Sequence, residues 1–345
     1  VDYLASVAAY PRPDEKLRTE KLETQGGGNC ANALTAAARL GLYPTLVTKI
    51  GDDGLGDGIL SELHSDGIDT THVIRAAGHP SPFTYIIVDR QGGTRTCIHT
   101  PGAALEPGEM TSGLLAGALE GAALVYFDGR LTEAALLLAR EARRRGIPVL
   151  VEAERLRPGL QQLLAEADFV VTSAHFPQDW TGEAVLADAL LATAHRLPSA
   201  RWVITTLGTR GSVLLERPPP PAGTGGGSGN LVVHTRGAHM CVWGGVVCVC
   251  VSNITRRTVS GLVARVTLAS IAALPKEAVV DTTGAGDSFI GSLLYGVCTG
   301  MSLPGCMRLG AVVAAAKCMR LGARPGLPTR CSLSRDLLHE EEGGR

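Results

Sequence analysis

At 345 residues, of which 45% are hydrophobic, the chain is long enough to bury a large core, and one large α/β domain with a small appendage is expected. A net charge of −1, from 32 basic and 33 acidic residues, leaves no electrostatic footprint for nucleic acid or an anionic membrane. The nine cysteines show no C-x-x-C pair and no regular spacing, so they read as reduced thiols rather than a disulfide framework or zinc site.

The chain opens on Val1-Asp2-Tyr3, which reads as the end of a strand. Its first strand half is therefore expected to be missing, and any targeting segment with it; the expected setting is intracellular, cytoplasmic or in an organelle such as a peroxisome or plastid. Residues 4–7 and 16–24 are half-polar extended segments on either side of Pro11-Arg12-Pro13. Gln25-Gly26-Gly27-Gly28-Asn29-Cys30-Ala31-Asn32 then runs into an alanine-rich helix over 33–40 that stops at Gly41. Three glycines and two asparagines at a helix start are suited to a polyhydroxylated ligand; a flexible loop with Asn29 as the helix cap is the competing reading. Residues 46–50 form an apolar strand, 51–56 a turn into a helix over 58–64, and 83–89 with 94–99 a hairpin around Gly92-Gly93. Phe83 and Tyr85 on that hairpin face either a ligand pocket or a small core.

From residue 124 the pattern becomes strand and helix in alternation, with apolar runs at 124–127, 149–151, 169–172 and 202–205 and helices over 132–145 and 159–167. That order predicts a mainly parallel sheet covered on both faces, with ligands at the carboxyl ends of its strands. Asp128, Arg130 and Glu152 sit at such ends, either to reach a substrate or to pair with one another. Thr206-Leu207-Gly208-Thr209-Arg210-Gly211 is a further strand-end turn. Residues 217–262 depart from this order: four prolines, then Gly-Thr-Gly-Gly-Gly-Ser-Gly, then an apolar, cysteine-rich run with neither helical nor clean strand organisation. The apolar run at 240–251 is too short to span a bilayer. The segment reads as a lineage-specific insertion or a translated intron.

Order returns at 263–271 and at 276–280, the latter expected as the last strand before Asp281-Thr282-Thr283-Gly284-Ala285-Gly286-Asp287-Ser288-Phe289-Ile290-Gly291. Strand, glycine turn and helix aim unpaired N–H groups at an anion. Gly284 and Gly286 are expected to allow close approach and positive φ. Asp287 falls in the first helical turn, where a hydroxyl needs a proton acceptor. By itself the peptide leaves three readings open: phosphoryl transfer, a structural turn whose carboxylate complements the helix dipole, and a dinucleotide site. The last wants a glycine where Phe289 stands. Alanine-rich helix 305–321 and a charged tail, 336–345, expected to fray, complete the chain.

As a whole string, 281–291 resembles the C-terminal signature of the pfkB carbohydrate kinases, the ribokinase-like family. Gly27-Gly28-x-x-x-Asn32, ending in Ala38-Arg39-Leu40-Gly41, resembles the N-terminal one. The resemblance covers about 1–217 and 263–330. It implies a single ribokinase-like α/β/α domain over 1–335, with a small β-sheet lid from 1–25 and 80–100 that covers the sugar and often mediates homodimers. It implies Asp287 as catalytic base, with the main chain at Gly284, Ala285 and Gly286 binding transferred and nucleotide phosphates. It further implies a sugar held by Asp2, Gly27, Gly28, Asn29 and Asn32, to which Arg130 is added from its strand-end position, ATP on Thr206, Gly208 and Gly211, magnesium on its phosphates, and a monovalent cation (K+) held with the main chain at Asp281 and Thr283. The family's Asn-x-x-Glu pair, which helps organise magnesium, is replaced by Thr172-Ser173-Ala174-His175-Phe176, His175 reading as a surface or packing residue.

Likeness is greatest to plant and algal members of the pseudouridine-kinase type, through Val1-Asp2-Tyr3-Leu4-Ala5-Ser6-Val7, Ser81-Pro82-Phe83-Thr84-Tyr85, Thr94-Arg95-Thr96-Cys97-Ile98-His99-Thr100-Pro101-Gly102 and Leu321-Gly322-Ala323-Arg324-Pro325-Gly326-Leu327-Pro328. The expected reaction is transfer of the ATP γ-phosphoryl group to a ribose or sugar primary hydroxyl, most closely that of pseudouridine. A ribokinase or fructokinase-type sugar kinase and a catalytically impaired ligand-binding relative are the alternatives. Asp287 is expected to be a weak base, its pKa lowered by the helix dipole.

Overall fold

The computed structural model describes residues 1–92, 94–217 and 263–338, and strand positions 233–234, 242–243, 246–247 and 251–257. The first half builds the lid and its supports. β1 (Asp2–Val7) and β2 (Lys21–Gln25) are followed by α1 (Asn29–Arg39), β3 (Thr48–Gly51), α2 (Gly54–Ser65) and β4 (Val73–Ala76). The hairpin β5 (Phe83–Asp89) and β6 (Thr94–Thr100) closes a four-stranded sheet in the order β2-β1-β5-β6, with β1 and β5 parallel. Alternation decides which face looks inward. Leu4 and Ile86 pack on Leu321, while Tyr3, Phe83 and Tyr85 form a ring cluster on the opposite face, with centroids 5.3 to 5.9 Å apart. Phe83 and Tyr85 therefore point away from the ligand side.

After α3 (Ser112–Ala118) the strands β7 (Val125–Phe127), β8 (Val149–Ala153), β9 (Phe169–Thr172) and β10 (Trp202–Thr206) run parallel, joined through α4 (Thr132–Arg144), α5 (Leu160–Ala165), α6 (Phe176–Thr181) and α7 (Leu186–Arg196). The sheet then turns antiparallel through β11 (Ser212–Glu216). Two-residue strands β12 (Val233–His234), β13 (Val242–Trp243) and β14 (Val246–Val247) precede β15 (Val251–Arg257) and β16 (Val263–Ala269). The eight-stranded order is β12-β15-β16-β11-β10-β9-β8-β7. β15 pairs with β16 over its full length, so residues 251–257 are a regular strand where the sequence suggested no clean organisation. Their alternation of Val251, Asn253 and Thr255 with Ser252, Ile254 and Arg256 carries too little polarity contrast to stand out. Most of the remaining proline, glycine and cysteine-rich stretch lies outside the described residues.

Period-two alternation also divides the core. Leu150, Phe169, Val171, Trp202, Ile204 and Leu214 face α1, α8 (Ala285–Cys298) and α9 (Leu303–Cys318), whereas Val149, Val151, Val170, Val203 and Leu215 face α4, α5 and α7. Three layers result, because strands buried on both faces need a helical cover on each side. Two expectations change near the C-terminus. Residues 276–280 are not a strand: 276–278 form a 3₁₀ turn after Pro275, Val279 and Val280 are exposed, and the Val280 and Asp281 N–H groups bond the Cys318 carbonyl on α9. The tail does not fray from 336, because α10 (Arg335–Leu338) buries Leu337 and Leu338 in the core; 339–345 lie outside the described residues.

Candidate active site

The site begins at the crossing of α1 and α8. At Gly291, a Cβ would lie 2.4 Å from the Ala33 carbonyl oxygen and 2.6 Å from the Ala36 methyl, so only hydrogen lets the two helices approach this closely. One turn earlier on each helix stand Asn32 and Asp287. At that spacing their side chains meet, and the Asn32 Nδ2 donates to the Asp287 Oδ2 at 2.8 Å. Asn32 is oriented from behind by Arg324, whose Nε donates to its Oδ1 at 3.0 Å. The same guanidinium reaches the Glu62 carboxylate at 2.9 Å and the Gly27 carbonyl at 3.2 Å, and is almost wholly buried. Arg324 escaped sequence reasoning as a site residue. Its only signal was its place in the Gly-Ala-Arg-Pro string.

Gly27 presses against Asp2, whose carboxylate a Cβ would meet at 2.3 Å. Gly28 (φ 89°) caps α1 without a side-chain bond, so Asn29 is the first helical residue and not the cap. Asp2, Gly27 and Asn32 thus line one wall together with Arg324. The carboxyl ends of the parallel strands bring further carboxyls within electrostatic reach of Asp287. There Glu152 is buried and accepts from the Tyr126 hydroxyl at 2.8 Å, while Asp128 accepts from the Arg130 N–H at 3.1 Å. Arg130 faces Asp128 at 4.0 Å and Glu154 at 3.6 Å. Leu131, next in the chain, holds a left-handed φ of 48°, a strained turn that sets where Arg130 leaves the strand.

Electrostatics correct one expectation. Burial raises the pKa of Asp287 to about 6, against the Asn32 hydrogen bond; the Asp128 and Glu154 charges add to the rise and Arg130 opposes it. Dipole and hydrogen bond therefore lose to desolvation and like charge. Glu152 is pushed further, to about 8, by burial and then by Asp287. At neutral pH the two carboxyls differ in state: Asp287 is largely ionised and Glu152 largely protonated. Of the two, Asp287 is the carboxyl with the lower pKa and so the one more able to accept a proton near neutral pH.

Beside Asp287 lies the start of α8. Gly284 is left-handed (φ 75°), but Gly286 sits inside the helix with an ordinary φ, contrary to expectation. The Ala285 N–H turns back to the Thr282 carbonyl at 3.2 Å, so Ala285 itself contributes no free donor. The N–H groups of Gly286 and Asp287 have no acceptor among the described residues, which leaves them for an anion. From the lid, the Arg95 Nη1 donates to Thr282 Oγ1 at 2.6 Å.

Asp281 is fully engaged. Its Oδ1 accepts from the Thr283 N–H and hydroxyl at 2.9 and 2.7 Å, its Oδ2 from the Gly322 N–H at 2.7 Å, and its main-chain carbonyl from the Lys317 ammonium at 2.6 Å. Burial raises its pKa, but Lys317 and the Thr283 and Gly322 donors outweigh it and hold the carboxyl below its ordinary value. A dissolved monovalent cation does not fit this donor set, since an ammonium already takes the carbonyl.

Thr206, Gly208 and Gly211 form the turn between β10 and β11, at the same carboxyl end of the parallel strands as Asp128 and Glu152. The Thr206 hydroxyl donates to the Thr172 carbonyl at 3.3 Å, and a Cβ on Gly211 would fall 2.0 Å from the Ala269 carbonyl oxygen. In place of an Asn-x-x-Glu pair, Ser173 donates to the Glu154 carbonyl at 2.6 Å and His175 is exposed at the start of α6.

A family profile described as pfkB family carbohydrate kinase matches residues 2–238 and 254–330. The ribokinase of Mus musculus is 25% identical over 96% of this chain and 90% of its own length. The structure of Arabidopsis thaliana ribokinase complexed with ribose and ATP superposes with a TM-score of 0.69 at 20% identity, covering 96% of this chain and 93% of that one. The Burkholderia thailandensis nucleoside kinase in complex with inosine superposes at 0.66 with 17% identity, covering 96% and 92%. At those identities the two structures speak for the fold, a ribokinase-like α/β architecture.

Proposed function

We infer the acceptor and the part each side chain plays from one premise: the chain belongs to the pfkB family of carbohydrate kinases and is a phosphotransferase with an alcohol group as acceptor. The acceptor is the primary hydroxyl of a ribose unit, either a free sugar or part of a nucleoside. One observation carries this reading above the others. A largely ionised carboxylate, Asp287, sits at a helix N-terminus where its own N–H and that of Gly286 have no acceptor among the described residues, beside polar side chains suited to sugar hydroxyls.

Asp287 takes the proton as the hydroxyl oxygen bonds the γ-phosphorus and the bond to the ADP oxygen breaks. In a loose transition state the proton leaves late, so a base with a pKa near 6 is sufficient. The N–H groups of Gly286 and Asp287 take the charge that spreads over the equatorial oxygens. Asp2, Asn32 and Arg130, with the main chain at Gly27, Gly28 and Asn29, hold the sugar. ATP lies along the carboxyl ends of the strands toward Thr206, Gly208 and Gly211. Magnesium enters with the nucleotide as part of the substrate.

Pseudouridine is the acceptor placed first, on the likeness carried by residues 81–85, 94–102 and 321–328. Ribose comes second, favoured by similarity to ribokinases along nearly the whole chain. Initial rates with MgATP against pseudouridine, uridine, inosine, ribose and fructose test the order. A kcat/KM for pseudouridine above that for ribose supports the first reading, and the reverse ranking replaces it with the second. Binding of these compounds without ADP formation leaves a ligand-binding relative. The outward cluster of Tyr3, Phe83, Tyr85 and Ile98 on the lid supports a homodimer through that face, which sedimentation of wild type and Tyr85→Lys tests.

A further inference from the structure

The last turn of α9 holds a lysine with no exposed surface, Lys317, on a helix whose other buried residues are all uncharged. A buried ammonium is costly unless it is paired and hydrogen-bonded. Its Nζ donates to the main-chain carbonyl of Asp281 at 2.6 Å and lies 3.8 Å from the Asp281 Oδ2. The phosphate-side loop is further stitched to the same turn by the Val280 and Asp281 N–H groups on the Cys318 carbonyl at 2.8 and 3.2 Å. Packing closes the turn from the other side, where Gly326 lies so near that a Cβ would meet the Lys317 carbonyl oxygen at 2.6 Å. The carbonyl expected to hold a dissolved monovalent cation is thus already bound to a positive charge.

We propose that the Lys317 ammonium is the fixed monovalent cation of the phosphoryl-transfer loop, so that the loop keeps its shape without dissolved K+. Lys317 is a positioning residue. It draws the Asp281 carbonyl inward, which sets the course of Thr282 and Thr283 into the left-handed Gly284 and hence the aim of the N–H groups at the start of α8. A side chain differs from a bound ion in one respect: it cannot dissociate, so its charge is independent of the salt present.

The test is salt dependence, read first without any acceptor so that it stands apart from the substrate assignment. Thermal unfolding of the wild-type protein is compared in KCl and in tetramethylammonium chloride at equal ionic strength, with and without MgATP. The same Tm in both salts, and the same MgATP affinity, are expected. An ion site that K+ must fill would instead raise Tm with K+ concentration and change nucleotide affinity on the order of 5–150-fold; either result in the wild type overturns the proposal. Lys317→Met, which keeps most of the volume and removes the charge, is expected to lose Tm and MgATP affinity in tetramethylammonium chloride and to recover both as K+ fills the vacated position. A purely structural lysine would give no recovery by K+, and a Lys317→Met protein that folds and ignores K+ also counts against the proposal. Should that variant not fold, the wild-type comparison decides alone.

Discussion

Asn32 on α1 donates its amide to Asp287 on α8 at 2.8 Å, across 255 residues of sequence, and Arg324 holds the far side of that amide at 3.0 Å. The bond fixes one carboxylate oxygen and leaves the other for a hydroxyl. Because Asn32 itself is buried, its amide cannot turn to water in compensation when Asp287 gives up its charge.

Asp287→Asn keeps the shape and the Asn32 contact but removes the base. A fall in kcat of about 10²–10⁴-fold, the range for a positioned general base, is expected with little change in KM. Near-normal turnover in the variant would place the base elsewhere. The same substitution removes a carboxylate that burial makes unfavourable, so the Tm of the variant at neutral pH should exceed that of the wild type.

Asp287 is raised to about 6 and Glu152 to about 8, both above the ordinary carboxyl range. Activity should therefore rise with pH through about 6, as Asp287 ionises. Stability should run the other way. A carboxyl whose folded pKa is raised stabilises the protein below its unfolded value and loses that contribution as pH rises through the folded value. Tm is thus expected to decline from about pH 4 upward, through the range set by these two groups. Glu152→Gln should flatten the upper part of that decline, in a series of unfolding curves at stepped pH.

Gly291→Ala places a methyl against the Ala33 carbonyl and the Ala36 side chain. Overpacking of this kind costs about 1–3 kcal/mol, measurable as a lower urea midpoint. If the crossing also sets the Asn32–Asp287 bond, kcat falls in the molecules that remain folded; a variant that is destabilised but turns over normally would separate the two roles.

Arg324→Met leaves the Asn32 carbonyl oxygen, the Gly27 carbonyl and the Glu62 carboxylate without their shared partner. Loss of one member of a buried pair costs about 3–5 kcal/mol, and the lower end is expected because Glu62 is partly exposed. Arg324→Lys should restore only part of it, because an ammonium cannot reproduce the planar fork that spans three acceptors. Chemical denaturation of both variants distinguishes charge from geometry.

Arg95→Ala removes the lid's bond to Thr282. At an exposed site the change in stability should stay within about 0.5 kcal/mol, while kcat/KM for MgATP falls about tenfold, equivalent to about 1.4 kcal/mol. An unchanged kcat/KM would mean that the lid closes without this contact.

Much of the architecture was legible because it is written in short-range pattern. The apolar runs at 149–151 and 169–172 became β8 and β9, and the segments 83–89 and 94–99 paired as the expected hairpin. Residues 276–280 were misread because two valines after a polar turn look like a strand; what decided otherwise was hydrogen bonding, the Val279 N–H turning back to the Lys276 carbonyl and the Val280 and Asp281 N–H groups going to that of Cys318. The placement of the lid aromatics was left open for a related reason. Alternation says that Phe83 and Tyr85 share a face, but not which face turns to the core.

The sequence by itself determined most of the elements, the glycine turn that leads into α8, and the presence of Asp287 in its first turn, since all of these depend on residues a few positions apart. Only the tertiary structure decided how basic Asp287 is, which partner orients it, and which cation holds the loop behind it. Those properties depend on desolvation, on the Asn32 hydrogen bond and on the charges of Asp128, Glu154, Lys317 and Arg324, which are distant in the chain and meet Asp287 and its loop only when the helices and the strand ends close around them.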